Sequence, residues 1–354
     1  MWHKVRPSCV EEGQGRVDLK RHDIVTIGAS SGGVEALISL VRSLPPDLPA
    51  AVFVVIHLSE GFPSALPRIL NRAGPLAAAH PKDGDQIESG RIYVVPPGFH
   101  MLLEPGLVRV VRGPKENRHR PAVDLLFRTA ARAYGSRVVG VILTGALNDG
   151  TAGLLAVKRR GGVAVVQDPD EAPFSGMPQS ALEYIDVDHC LPLEKIASLL
   201  AHLSREPAKE EGDYPVSEEM EYESKIAGLD PSAVESEAPP GEPSSFSCPE
   251  CAGPLYELRD GQFLRFRCRV GHAYTADSVM EAKADVLENA LYMALNTLEE
   301  TAEIAESLAA QSRGHQLLHA AERFEKRAKE AREQAAVIRR VLTEDTSEAP
   351  TGTA

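Results

Sequence analysis

The chain has 354 residues, 43% of them hydrophobic and only 5% aromatic, with a formal net charge of −13. That length exceeds one ordinary domain, so two or three are expected. No run approaches the roughly 18 apolar residues of a membrane-spanning helix, and no basic field suggests nucleic acid; membrane insertion and nucleic-acid binding are therefore not expected.

The first stretch, "MWHKVRPSCVEEGQGRVDLKRHD", has no apolar h-region, so residues 1–22 read as a tail rather than a signal peptide. From residue 23 to 205, short β-branched runs alternate with amphipathic stretches. "IVTIGA" precedes "GVEALISLVRSL", "AVFVVIH" precedes "FPSALPRILNRAG", "RVVGVILTG" precedes "GTAGLLAVKRRGG", and "VAVVQD" precedes "GMPQSALEYI". Fully apolar runs each followed by a helix read as parallel strands covered on both faces. "RIYVVPPGFHMLLEPGLVRVVRG" has the turn-punctuated look of a hairpin inserted in the sheet. The expected fold is α/β: a doubly wound, mainly parallel, Rossmann-like sheet.

Residues 206–245 carry 12 acidic and 2 basic residues and six prolines, with almost no aliphatic pattern. They read as a disordered, self-repelling linker. Beyond it, Cys248, Cys251, Cys268 and His272 form C-x2-C-x16-C-x3-H around a short hairpin, the spacing of one tetrahedral zinc. Four protein ligands leave no place for water, so a structural zinc in a ribbon-like module over 246–275 is expected. Clustered rather than evenly distributed cysteines suit a reducing cytoplasm and one metal site. Residues 276–343 read as helical. Leu287, Leu291, Ala294 and Leu298 start one apolar seam, and Leu317, Ala321, Phe324, Ala328, Ala331, Ala335, Ile338 and Leu342 make another. With Gly314 near the break, an antiparallel helical hairpin or a coiled coil follows, with 344–354 as a tail.

In a parallel α/β sheet, functional groups collect beyond the carboxyl ends of the strands. Ser30 and Ser31 follow the first strand there, His57 the second, and Asn148 and Asp149 follow "VVGVILTGAL". A histidine can take the proton of a serine hydroxyl while a carboxylate orients the imidazole. Gly28-Ala-Ser30-Ser-Gly32 fits G-x-S-x-G, whose small residues permit a sharp strand-to-helix turn that exposes the serine. The helix beginning there, at Gly32, aims N–H groups at a developing oxyanion. A phosphate cradle fits less well, because the glycines are not spaced G-x-G-x-x-G and no Lys-Ser/Thr follows. A mononucleotide-binding protein and a catalytically silent scaffold remain the competing readings. His100 and His119 read as hydrogen-bonded or solvated histidines, Arg118 and Arg120 as a surface pair, and Cys190 as a small buried group.

Five stretches in order, "IGASSGGVEAL", "HLSEGFPSALPRIL", "RPAVDLLFRTAA", "GVILTGALNDGTAGLLAVKRRGG" and "QDPDEAPFSGMPQSAL", resemble the catalytic domain of CheB-type chemotaxis protein-glutamate methylesterases. The resemblance covers about 24–200. It implies hydrolysis of glutamate methyl esters on the cytoplasmic helices of chemoreceptors, releasing methanol, with deamidation of receptor glutamines in many members and no catalytic cofactor. By motif it implies Ser30 as nucleophile, His57 as base and Asp149 as orienting acid, with Ser31 helping to position the histidine. The family usually has methionine where Ala146 stands, whose backbone N–H serves the oxyanion. Many members begin with a receiver domain of more than a hundred residues, and only about 22 residues precede the first strand here. The C-terminal part, without a counterpart in the basic enzyme, is expected to be a flexibly tethered module that docks receptors or other chemosensory proteins. A cytoplasmic location follows from the same resemblance.

Overall fold

The computed structural model describes residues 20–58, 64–209, 214–235 and 240–344. The N-terminal tail up to residue 19 and the C-terminal tail from 345 lie outside them. In chain order the elements are β1 (Ile24–Ala29), α1 (Gly33–Arg42), β2 (Ala51–Ile56), α2 (Leu66–Ala73), β3 (Ala77–Ala79), β4 (Arg91–Val94), β5 (His100–Glu104), β6 (Leu107–Val111), α3 (Val123–Tyr134), β7 (Val138–Ile142), α4 (Thr151–Arg159), β8 (Val163–Gln167), α5 (Gly176–Tyr184), β9 (His189–Leu191) and α6 (Leu193–Leu203). Then come α7 (Glu218–Ala227), α8 (Pro231–Val234), β10 (Glu242–Ser247), β11 (Pro254–Asp260), β12 (Phe263–Cys268), β13 (Ala273–Thr275), α9 (Ala276–Gly314) and α10 (Leu318–Glu344).

Seven strands form one sheet in the order β3-β4-β2-β1-β7-β8-β9, with every neighbouring pair parallel. The apolar runs explain it. Successive side chains of a strand point to opposite faces, and in β2 Val52, Val54 and Ile56 enter one core while Phe53 and Val55 enter the other. The first core is closed by α1, α2 and α6, the second by α3, α4 and α5. The doubly wound reading therefore holds. The chain leaves β1 toward β2 on one side, and β7 lies on the other, so β1 stands at the switch point where the direction of winding reverses.

The stretch read as an inserted hairpin divides differently. Arg91–Val94 joins the parallel sheet as β4, while β5 and β6 form a separate two-stranded antiparallel sheet. Met101, Leu103 and Val108 of that hairpin pack into the second core, so it covers a face rather than extending the sheet. Cys190, expected buried, is exposed on the edge strand β9.

The larger correction concerns the acidic segment. Its described part is folded rather than disordered. Ser217 caps α7 by accepting a hydrogen bond from the Met220 N–H at 3.1 Å, and Met220, Ile226 and Ala227 are buried. Its carboxylates meet arginines distant in sequence. Glu223 lies 2.8 Å from both Arg265 and Arg267 and 3.8 Å from Arg128, all buried. Glu116 takes two bonds from Arg128, at 2.6 and 2.8 Å, and one from Arg267 at 2.9 Å. Glu221 accepts from Arg132 at 2.9 Å. Burial alone would push Glu116 and Glu223 up, but the adjacent guanidinium groups hold both below the usual carboxylate range. Self-repulsion was the wrong expectation because these charges are answered by partners. Strands β10 to β13 form a four-stranded sheet in that order, and Arg265 and Arg267 of β12 tie it to Glu219 and Glu223 of α7 and to Glu116 of the loop before α3.

Residues Ser247–Ala252 and the described residues from Ala276 to Glu344 make a second compact unit. There α9 and α10 pack as an antiparallel hairpin. Ala302, Ala305 and Ala309 face a seam containing Ala321, Ala328, Ala331 and Ala335, flanked by Glu306–Arg332 and Glu299–Arg339 pairs. The expected seam is shorter in fact, because Leu287 and Leu317 are exposed.

Candidate active site

Ser30 follows the last residue of β1 directly, and its N–H bonds the Thr144 carbonyl at 3.0 Å. The chain then turns sharply into α1, with Gly32 left-handed at φ 73°. That conformation is strained for a residue with a side chain. Gly28 serves a different need: a Cβ there would lie 2.2 Å from Val123 Cγ1, so its absence lets the start of α3 lie against β1.

The end of β2 delivers His57 and the loop after β7 delivers Asp149, so three adjacent central strands converge on one edge. His57 Nδ1 is 3.1 Å from Ser30 Oγ, and His57 Nε2 is 2.7 Å from Asp149 Oδ2. An ionised carboxylate can only accept, so the imidazole proton sits on Nε2 and leaves the Nδ1 lone pair facing the serine hydroxyl. The arrangement is that of a base poised on a nucleophile.

Asp149 is buried and heavily bonded. Its Oδ2 also accepts from the Val123 N–H at 2.7 Å, and its Oδ1 from the Asp124 N–H at 3.2 Å and from Asn117 Nδ2 at 3.0 Å. Two of these donors are the first N–H groups of α3, the positive end of a helix. Burial would raise its pKa, but the hydrogen bond and charge of His57, with the Val123 N–H, hold it well below the usual range. Asp149 is thus an anion at neutral pH. Asp124 shows the opposite shift: burial and the Asp149 charge push it up. It accepts from Gly150, Gly153 and Asn117, joining the start of α4 to the Asp149 loop.

His119, read from the sequence as an ordinary loop histidine, stacks on His57 with ring centroids 3.6 Å apart and planes 12° apart. Burial, then the neighbouring His57, push its pKa down to about 4, so it is neutral at neutral pH. Neither His119 nor Asn117 was legible as part of the site, because both depend on one loop. In it Asn117 and Arg118 take left-handed φ of 49° and 71°, and Glu116 and His119 bond each other's backbone. His100 is structural: Nε2–H donates to the Pro114 carbonyl and Nδ1 accepts from the Ala122 N–H. Arg120 donates to the Gly113 carbonyl, so the expected surface pair does not describe it.

The proposed supports are placed as follows. Ser31 joins the corner through its carbonyl, which accepts from Thr144 Oγ1 at 3.0 Å, while the contacts to His57 come from Ser30, Asp149 and His119. Ala146 is exposed on the loop after β7. Its neighbour Gly145 lies so close to Ser30 that an added Cβ would stand 2.9 Å from Ser30 Cβ. Phe174, half exposed, borders Gly32 from the loop before α5.

Cys248, Cys251, Cys268 and His272 place their four ligand atoms within 4.8 Å of one another. Tetrahedral zinc with Zn–S distances of about 2.3 Å spaces its ligand atoms about 3.8 Å apart, so the group has the donors and the size to hold that ion.

The family model described as CheB methylesterase matches residues 25–200. A relative from Anaeromyxobacter dehalogenans, named protein-glutamate methylesterase/protein-glutamine glutaminase 2, is 40% identical over 185 residues, 52% of this chain and 54% of that protein. The chain thus spans about half the length of that relative. A relative from Leptospira interrogans, which carries the same double name provisionally, is 37% identical over 52% of this chain and 96% of its own length. The crystal structure of the Thermotoga maritima CheB methylesterase catalytic domain is 36% identical, with a TM-score of 0.49, over 51% of this chain and 98% of that one. With the Leptospira interrogans relative matched over 96% of its length at 37% identity, this chain belongs to the CheB methylesterase family.

Proposed function

We propose that the protein is a serine hydrolase that removes methyl esters from glutamate side chains of chemoreceptors, and that it also deamidates receptor glutamines. The observation that carries this reading is the Ser30–His57–Asp149 relay, 3.1 and 2.7 Å, at the ends of three adjacent strands. His57 Nδ1 takes the hydroxyl proton as Ser30 Oγ attacks the ester carbonyl carbon. Asp149 keeps the ring oriented and stabilises its charged form. The tetrahedral oxyanion is met by backbone N–H groups, those of Gly32 and Ala146 in our assignment. Its collapse breaks the bond to the methoxy oxygen, which leaves as methanol with the proton from His57. Water, deprotonated by the same imidazole, then attacks the acyl-serine, releasing the glutamate carboxylate and restoring Ser30. A glutamine follows the same path with ammonia as leaving group.

Chemoreceptors are the proposed partners, with other chemosensory proteins meeting α9 and α10, and the cytoplasm is the proposed location. No helix among the described residues is long and apolar enough to cross a membrane. The decisive experiment incubates the protein with receptors carrying radiolabelled methyl groups and measures volatile methanol. Labelled methanol supports the reading, and its absence with a correctly methylated receptor would remove it.

We assign the Cys248, Cys251, Cys268 and His272 group to one structural zinc, whose filled coordination sphere cross-links two turns and supplies no catalytic chemistry. Purified protein is expected to carry about one zinc per chain by elemental analysis, and Cys268→Ser to lose it. Metal-free wild-type protein of undiminished stability would show that the group holds no ion.

A further inference from the structure

We infer that strand β13, which lies beyond the acidic segment, is a working part of the catalytic centre, with Thr275 as a positioning residue that acts on Asp149 through Asn117 and Asn148. The inference rests on the serine-hydrolase reading above.

The connection is continuous. Backbone pairing joins β13 to the loop before α3: the Asn117 N–H donates to the Ala273 carbonyl at 2.8 Å, and the Ala273 N–H to the Lys115 carbonyl at 3.3 Å. The Thr275 N–H donates to Asn117 Oδ1 at 3.0 Å, and Thr275 Oγ1 donates to Asn148 Oδ1 at 2.8 Å. Thr275 is buried, 1% exposed.

An asparagine side chain can present either its oxygen or its nitrogen to a given neighbour. Asn117 must present nitrogen, because Nδ2 faces the carboxylates of both Asp124 and Asp149, at 2.7 and 3.0 Å. Turned over, it would point a carbonyl oxygen at two acids. The Thr275 N–H decides the orientation by occupying the oxygen. Through Asn148 the threonine hydroxyl braces the residue next to Asp149. The same loop carries two side-chain-bearing residues in left-handed conformations, which persist only where surrounding contacts impose them. It ends at His119, stacked on His57. One loop thus supports both the acid and the base of the relay, and β13 holds that loop.

The test compares full-length wild type with Thr275→Val, which keeps shape and N–H but loses the hydroxyl, and with Thr275→Ser, which restores it. Asn117→Ala removes the next link. Each is assayed for kcat and KM on a small aryl ester and for the rate of Ser30 labelling by a fluorophosphonate, and each is checked by thermal melting. Thr275→Val is expected to lower kcat and labelling together by roughly tenfold, since misplacing a catalytic group by a fraction of an ångström acts on the reaction step. KM stays within about twofold, because the variant does not touch the substrate surface. Asn117→Ala loses more, and Thr275→Ser recovers most of the rate. Wild-type kcat and labelling in Thr275→Val and in Asn117→Ala would overturn the inference. So would losses that track the melting temperature alone and are not rescued by serine. Failure of the wild type itself to label at Ser30 would overturn the serine-hydrolase reading first, and this inference with it.

Discussion

Ser30→Ala is expected to reduce ester hydrolysis by on the order of 10⁵–10⁶ in kcat while leaving the melting temperature nearly unchanged. The hydroxyl is the only group in the relay that can form the acyl intermediate, and its loss leaves a methyl group at a half-buried turn. His57→Ala is nearly as severe, because a neutral hydroxyl at pH 7 is a poor nucleophile without a base. Asp149→Asn is expected to lose about 10²–10⁴. Its amide replaces an acceptor that takes bonds from His57, Asn117 and two backbone N–H groups. An amide nitrogen at that position would oppose the Nε2 proton and favour the wrong tautomer. Steady-state kinetics on methylated receptor fragments, with circular dichroism as the control for folding, check all three. Near-wild-type turnover by Ser30→Ala would move the nucleophile elsewhere.

Arg128→Met is expected to destabilise the protein by about 3–5 kcal/mol, the cost of breaking a buried ion pair from one side. Arg128 is 3% exposed and serves both Glu116 and Glu223, so its removal leaves two buried carboxylates with less compensation. Chemical denaturation monitored by far-ultraviolet circular dichroism measures it. A loss below about 1 kcal/mol, the level of a surface pair, would show that water reaches the cluster. The same cluster sets a pH dependence. Glu116 and Glu223 have folded-state pKa values depressed below their unfolded values. Their contribution is therefore fully present above the unfolded glutamate value of about 4.3 and is lost as pH falls through the folded values. Acidification from pH 6 to 3 should lower the melting temperature of wild type more than that of Glu223→Gln, which has one fewer carboxylate to protonate.

Much of the candidate site was legible in the residues. Apolar runs such as "AVFVVI" can satisfy only a strand buried on both faces, and a strand's carboxyl end places whatever follows it on one edge. Ser30 and His57 each directly follow such an end and Asp149 lies in the loop after the end of a third, so topology brought them to one edge. That Cys248, Cys251, Cys268 and His272 would gather was legible for a similar reason, since short chain spacing limits how far apart paired turns can lie. His119 and Asn117 were not legible. Nothing in "NRHRP" announces two left-handed residues, and without that backbone path neither side chain reaches the relay.

The acidic segment shows where sequence ceases to decide. Its charge count by itself describes a chain that repels itself. Whether it does depends on what those carboxylates face, and the partners of Glu221 and Glu223 lie 89 residues upstream and 42 and 44 residues downstream. Paired and buried, the same charges hold a helix and a sheet in place. Sequence by itself determined the four helix-followed strands, the parallel sheet they must form and the candidate residues at its edge, because hydrophobic periodicity and chain connectivity are local properties. Only tertiary structure decided that Thr275 of β13 reaches the loop bracing Asp149, because a charge or an amide has no fixed role until its neighbours set its solvation and its hydrogen-bond partners.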